Sequence, residues 1–413
     1  MNERTQPNPA VSLRPVAEAI GMDAHSRKIV LCHMRRVGDA IEKVRTVHTT
    51  LTALERTYLA RMPADVPTVL EASTNSFDIA RRLAAIGRET RVLCSDVLSG
   101  LSRQDRINDR IDAENLARAF LRYGSELRTV FQPSPLGTER REAFFAYRDA
   151  RKDQTRAANR IWAFCCRHGL DVDRRITERR CRDLLDETAA RDWLRPLAGR
   201  AEGLVEAWRH ADKVSKSCRK AIERAVFADP DMTRLQQVPG IRAIGAFAIV
   251  TFVEDIHRFE NPKKFVAYIG LNPSVNGSGE KGSRRSLSRY GRTDLKTIFV
   301  EGAQAVLRSD SPMARWAKHL LARGKPRNLA VCALARKLAV LCWHILMGHP
   351  APGREGQGAT ERKLVRLARC VGKTAVHKAG YASSSEYASS VIATLYGHLP
   401  EPPPTTEIFS ETA

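Results

Sequence analysis

No Cys-x-x-Cys pair occurs among the nine cysteines, and the adjacent Cys165 and Cys166 cannot clamp a zinc in the usual way. A structural zinc module is therefore excluded, and the thiols read as reduced core residues. Cys342, His344 and His349 stand close together, but their spacing fits no standard metal pattern and reads as packing on a helix end. Uncharged apolar runs of the roughly 20 residues that span a bilayer are missing too. The segment from Val331 to Met347 comes nearest, yet it contains Arg336, Lys337 and His344 and reads as a buried helix. Met1 to Pro15 carries Arg4 and Arg14 without an apolar core and cleavage site, so a cytoplasmic protein off the membrane is expected. Acidic charge is also short, with 46 Asp and Glu against 68 Lys and Arg.

That imbalance leaves a formal charge of +22, spread over most of the chain. A surface of this kind calls for a polyanion, and nucleic acid is the commonest, because each neutralised phosphate releases condensed counterions. The 413 residues, 43% of them hydrophobic, suffice for two or three packed domains.

After a flexible leader over 1–16, the pattern predicts strands at Ala17 to Met22, Arg27 to Met34 and Ile41 to Val47, with a turn at Ala24 to Ser26. A helix from Leu51 to Arg61, a strand Thr68 to Glu71, a helix near Phe77 to Ile86, a strand Arg91 to Cys94 and a helix Asp105 to Tyr123 follow. Three strands, helix, strand, helix, strand, helix is the order of an α/β ribonuclease-H-like fold, placed here at 17–130. Over 138–229 strand signals vanish and a helical coiled-coil insert is predicted. Its seam runs through Leu197, Ala201, Leu204, Trp208, Ala211, Ser215, Cys218, Ile222 and Ala225. The expected partner of that seam is a mixture of the earlier stretch Arg140 to Cys166 and a second subunit, with an ordinary amphipathic helix of a monomer as the alternative. A mainly α-helical C-terminal domain is expected over 231–350. The extension 351–413 returns to helical patterning around Arg362 to Val371 and ends in a Pro-rich stretch whose last dozen residues are expected to be disordered.

Asp23 closes one apolar strand and Glu71 another, and Asp109 and Asp112 lie three apart on one helical face. If that helix packs against the sheet edge, the four acids converge. Clustered carboxylates repel unless cations neutralise them, and hard oxygen donors suit Mg²⁺ or Mn²⁺. Two such ions can activate an attacking oxygen and stabilise a leaving one at a phosphodiester. A competing register pairs Asp105 with Asp109, and the bland alternative is a solvated face balanced by Arg106 and Arg110.

Val238, Pro239, Gly240 and Ile241, followed by Ile244, Gly245 and Ala248, have the spacing of a helix-hairpin-helix-like element, whose turn and helix amides can hold a DNA phosphate. Farther on, Ser278 stands between glycines ahead of Lys281, Arg284, Arg285, Arg289, Arg292 and Lys296. A hydroxyl there could attack a phosphate held by guanidinium groups. Ser274, Ser283, Ser286 and Ser288 are rivals, and a basic loop that only holds phosphates is the plainer reading.

Taken in order, these segments resemble the insertion-sequence transposases that combine a RuvC-like (resolvase-like) DEDD domain with a C-terminal serine transposase domain, also called bridge-RNA-guided recombinases. The matching residues are Ile20-Gly21-Met22-Asp23, Leu70-Glu71-Ala72, Asp109-Arg110-Ile111-Asp112-Ala113 with Leu116-Ala117, and Val238-Pro239-Gly240-Ile241. They continue with Phe259, Tyr268 through Pro273, Ser278-Gly279, Leu287 through Gly291 with Leu295, and Ala335 through Ala339, about residues 18 to 348 in all. The resemblance implies a transposase that breaks and rejoins DNA, with a Mg²⁺ or Mn²⁺ site at Asp23, Glu71, Asp109 and Asp112 and a nucleophile at Ser278 forming a transient phosphoserine link. It also implies dimers or tetramers in which one subunit's carboxylates complete another's serine site, and a structured guide RNA that selects the DNA by base pairing. Ile107 and Asn108 depart from the lysine and threonine typical there, and the tail beyond Pro350 exceeds the usual end.

Overall fold

The computed structural model describes residues 17–25, 27–95, 109–171, 173, 175–273, 287–288, 291–349, 353 and 356–397. It divides into two compact units, 1–134 and 135–413.

The first unit is a five-stranded mixed sheet in the order β3-β2-β1-β4-β5. Strands β1 (Glu18–Ala24), β2 (Ile29–Val37) and β3 (Ala40–Thr49) form an antiparallel meander, while β4 (Thr68–Glu71) and β5 (Thr90–Leu93) run parallel to β1. Side chains alternate across a strand, so both faces of β1 can be traced from sequence. Ile20 and Met22 join Leu31 and Leu70 under α1 (Leu54–Arg61) and α2 (Ser76–Ala85), where Leu54, Tyr58, Ile79 and Leu83 are buried. Ala19, with Val30, Cys32 and Val69, lies under α3 (Asp109–Tyr123), which contributes Ala113, Leu116, Ala117 and Phe120. A sheet covered on both faces explains why β1 and β4 are nearly continuous apolar runs. The expected element order holds. β4 falls where expected, the ends of the other strands shift by one to three residues, and Leu51–Ala53 forms a 3₁₀ turn ahead of α1.

The second unit is mainly helical in its described residues. Helix α4 (Pro135–Arg167) and helix α6 (Ala198–Ala228) run antiparallel, since Arg140 pairs with Asp229 at 2.9 Å and Gln154 bonds Asp212 at 2.7 Å. Ala201, Leu204, Trp208 and Ala211 of the heptad seam pack with Ala157, Ile161 and Phe164 of α4 and with Cys181 and Leu184 of α5 (Glu178–Ala190). The seam's partner is thus the earlier helix of the same chain.

A larger core follows, built on α7 (Pro230–Arg234), α8 (Ala243–Val253), α9 (Pro262–Ile269), α10 (Thr293–Leu307), α11 (Pro312–Ala322) and α12 (Arg327–Leu346). Helix α8 is apolar on nearly every side, as a helix surrounded by protein must be. Helix α12 is long and apolar enough to cross a membrane by composition, but Leu334, Ala335, Leu338, Cys342 and Ile345 are buried in this core. Cys342, His344 and His349 gather no metal-binding group among the described residues; His344 and His349 meet edge to face instead. Three helices of the extension, α13 (Gln357–Val371), α14 (Lys373–Lys378) and α15 (Ser384–Tyr396), close on Leu364, Val376, Tyr387 and Tyr396. The last two were not foreseen. The leader 1–16 and the expected disordered end lie outside the described residues.

Candidate functional site

Gly21 sets how closely α3 approaches β1. A Cβ there would overlap the carbonyl oxygen of Ala113 and stand 2.7 Å from the amide nitrogen of Ala117, so α3 rests directly on the backbone of β1. Asp112, next to Ala113, is thereby brought to the sheet's edge. On the parallel pair, Met22 lies opposite Leu70, and the next residue along each strand is Asp23 and Glu71. By alternation both acids fall on the α3 face, after Gly21 and Val69.

The electrostatics register this convergence. Burial, then the like charges of Asp112 and Asp23, hold the Glu71 carboxyl above its ordinary range. Glu114, two residues past Asp112, behaves oppositely: despite burial, its bonds to Lys43 and Arg118 hold it below the usual range. An acid that merely balances local cations looks like Glu114; Glu71 does not. His25, which sequence reasoning passed over, places Nε2 at 3.2 Å from Asp23 Oδ2, two residues along the same strand edge. Among the described residues no three acidic, histidine or cysteine side chains are gathered tightly enough to hold an ion outright. The donor set is nonetheless all carboxylate oxygen with unrelieved like charge at Glu71, which fits a hard divalent cation. Asp109 opens α3, but its side chain lies outside the described residues, as does Asp105.

In the second unit, the turn after α7 carries Val238, Pro239, Gly240 and Ile241. Val238 and Ile241 are buried anchors, whereas Pro239 and Gly240 are half-buried. Gly240 takes φ +77 and its missing Cβ lets the backbone of Gly302 approach. Helix α8 then starts after exposed Arg242 with no side chain capping its first amides. The turn has one further contact. Lys363 of α13 donates from Nζ to the carbonyls of Gln236 and Val238, both at 2.7 Å. Burial, then nearby Arg242, pulls its ammonium down to about 7. No local pattern marks this lysine; its partners lie more than a hundred residues away in sequence.

Ser278 lies outside the described residues, with Ser274, Ser283, Ser286, Lys281, Arg284, Arg285 and Arg289. What is described is the neck that flanks that segment. Pro273 bridges to Leu287, and the Ser288 amide donates to the Asn272 carbonyl at 3.0 Å. Arg336 donates twice to the Leu271 carbonyl, at 3.2 and 3.0 Å, and Lys296 Nζ donates to the Ser288 carbonyl at 2.9 Å. Gly291, at φ +113, lies against Gly270 so closely that a Cβ would stand 2.5 Å from its Cα. Lys296 and Ser288 therefore serve as tethers of the neck.

Arg292 sits 4.3 Å over the ring of Phe252, beside two arginines that sequence reasoning missed. Arg141 of α4 lies 5.6 Å over the same ring, and Arg258 lies 4.5 Å over Tyr268. Burial, then the positive charge of Arg292, lowers the Arg141 guanidinium from its usual value even with Glu254 bonded at 3.1 Å. A crowded cationic group at the neck of a loop attracts an anion. Arg258, beside Phe259, carried the signal of a basic-aromatic neighbour; Arg141 carried none, being in a helix that reads as ordinary coiled coil.

Residues 232–317 match the family model described as transposase IS116/IS110/IS902 family. The transposase for insertion sequence element IS1111A of Coxiella burnetii is 27% identical over 67% of this chain and 77% of its own length. The transposase for insertion sequence element IS1328 of Yersinia enterocolitica is 23% identical over 80% of this chain and 96% of its own length.

Proposed function

By family model and relatives the chain groups with the IS116/IS110/IS902 transposases, and from that premise we propose that it breaks and rejoins DNA through a serine-phosphate intermediate. The observation that carries the reading is the convergence of Asp23, Glu71 and Asp112 at the strand ends, with Glu71 raised by burial and then by the charges of Asp112 and Asp23. The element order and the mixed sheet with parallel β1, β4 and β5 support a ribonuclease-H-like, RuvC-like unit.

Asp23, Glu71, Asp109 and Asp112 would hold Mg²⁺ or Mn²⁺, which when bound neutralises charge on phosphate oxygens. In the other unit, the Ser278 hydroxyl forms a bond to phosphorus while a deoxyribose oxygen leaves; the proton lost by serine is the proton the leaving oxygen gains, so the step balances. Arg292, with Arg141 and Arg258 behind it, offsets charge at the phosphate. The Pro239-Gly240 turn and Arg242 hold backbone phosphate without reading sequence. A structured guide RNA would choose the DNA by pairing, which leaves a chain of charge +22 to bind backbone and shape. Dimers or tetramers would let one subunit's acids serve another's serine.

The test is incubation with Mg²⁺, the flanking RNA and labelled element-end DNA, followed by a denaturing gel. A covalent protein-DNA adduct lost in Ser278→Ala supports the proposal. Metal-dependent cutting that survives the substitution, with no adduct, would replace it with a junction nuclease that uses water.

A further inference from the structure

The extension also builds a cavity to which the proposed chemistry gives no task. A cleft of about 530 Å³ opens between the end of α6, α7 and helix α15. Its wall is aromatic: Phe227 and Tyr387 lie against each other with centroids 4.5 Å apart and planes tilted by 33°, and Tyr381 meets Tyr387 edge-on at 5.3 Å. Arg234 and His349 also line it.

Two groups in this wall have unused capacity, the Gln237 amide and the Tyr387 hydroxyl, each with a buried oxygen that has no hydrogen-bond partner. Gln237 is 8% exposed, its Nε2 donates to the Arg234 carbonyl at 3.0 Å, and its Oε1 is buried with no hydrogen-bond partner. A buried amide oxygen left unpaired costs free energy, so it calls for an N–H or O–H donor from a ligand. The ligand must also be flat enough to lie against rings, sized for a cleft in the range of roughly 300 to 1,000 Å³ common for small ligands, and compatible with a cation at the wall. An unpaired nucleobase satisfies all of these: its faces stack, its ring or exocyclic N–H donates to Gln237 Oε1, and its phosphate can reach Arg234.

We propose that this cleft binds one unpaired nucleobase of a single-stranded segment, so that the C-terminal extension is a nucleic-acid-holding element. The identification of nucleic acid as the occupant rests on the proposed function above; the cleft and its unsatisfied amide do not. Adenine, cytosine and guanine present exocyclic amines, and thymine and uracil a ring N–H. The strand can be DNA or RNA, and the two sources are separated by the probe.

The experiment uses the full-length protein, AMP, and two eight-residue strands of identical sequence, one DNA and one RNA, each with a central 2-aminopurine. Binding is read by calorimetry for AMP and by 2-aminopurine quenching for the strands. AMP should bind the wild type, and Gln237→Met and the cleft-filling Thr394→Trp should each weaken AMP and quenching by about tenfold or more. Thr394 is exposed on the cleft wall, so its variant tests the site even where Gln237→Met loosens the fold. The strand quenched more tightly by the wild type identifies the source. Failure of AMP and both strands to bind, or equal binding by wild type and both variants, overturns the proposal. The adduct assay on the same wild-type preparation reads the serine chemistry separately: no adduct with intact AMP binding removes that reading and leaves the cleft, whereas an adduct without AMP binding does the reverse.

Discussion

At position 21 a single methyl group separates a closed site from an open one. The Ala113 carbonyl that a side chain would meet belongs to a helix backbone, which cannot swing aside as a flexible side chain could. Gly21→Ala must therefore lift α3 or bend β1, at about 3 kcal/mol, the upper end for overpacked sites. A urea titration should show an earlier midpoint with an unchanged slope. Wild-type stability would mean that α3 does not seat on β1. Lys363 is the second residue whose surroundings are decisive. Its pKa of about 7 lies below the unfolded value of 10.5, so between the two the unfolded chain holds a proton that the folded chain lacks. Stability from this group therefore rises with pH from about 7 towards 10.5, by at most about 1.4 kcal/mol per unit, and the full penalty of burying the charge applies below 7. A neutral amine keeps two N–H groups, enough for the Gln236 and Val238 carbonyls. Lys363→Met should flatten the rise in denaturation midpoint between pH 7 and 10; an unaltered pH profile would show that the lysine stays charged.

Among the elements, the α4–α6 hairpin makes the most definite claim. Trp208 is 6% exposed within it, and its neighbours belong to the same chain. Trp208→Ala should cost about 3 kcal/mol or more in stability. Sedimentation velocity should show the oligomeric state of the folded protein unchanged, since the seam is filled internally; dissociation without loss of stability would point to a seam shared between subunits. The seam was legible because its apolar step of four and three runs through nine residues, but the choice of partner needed the antiparallel pairs Arg140–Asp229 and Gln154–Asp212. Strand β4 was legible to the residue, bounded by Pro67 and ending on an acid. Helix α15 was not: Ser383 caps it by accepting from the Glu386 amide, and Glu386 reaches back to accept from the Ala382 N–H, a pairing that the run of three serines did not announce. The acids Asp23 and Glu71 stood out because apolar strands seldom end in charge. Arg141 and Lys363 did not, since each matters only through contacts that tertiary folding creates.

At the scale of the whole molecule, the acids and the serine belong to separate units, 1–134 and 135–413, and the proposed chemistry calls on both. Either one chain supplies both halves, or two chains exchange them. Asp23→Asn removes a carboxylate and keeps the side chain's size, and Ser278→Ala removes the hydroxyl; each variant alone should form no adduct. If the halves are exchanged in a symmetric dimer, a mixed dimer carries one site with both changes and one with neither. Random mixing in equal amounts should then restore about a quarter of wild-type adduct, because half the dimers are mixed and each has one intact site of two. Co-expression followed by the denaturing-gel assay measures this directly. Exchange within a chain predicts no rescue at any ratio, since every site would keep one change. Duplex retention should survive in both variants, because neither removes a cation from a surface of +22 that binds phosphate by charge. A mixture that stays inactive while retaining DNA would therefore place both halves of the site in one subunit.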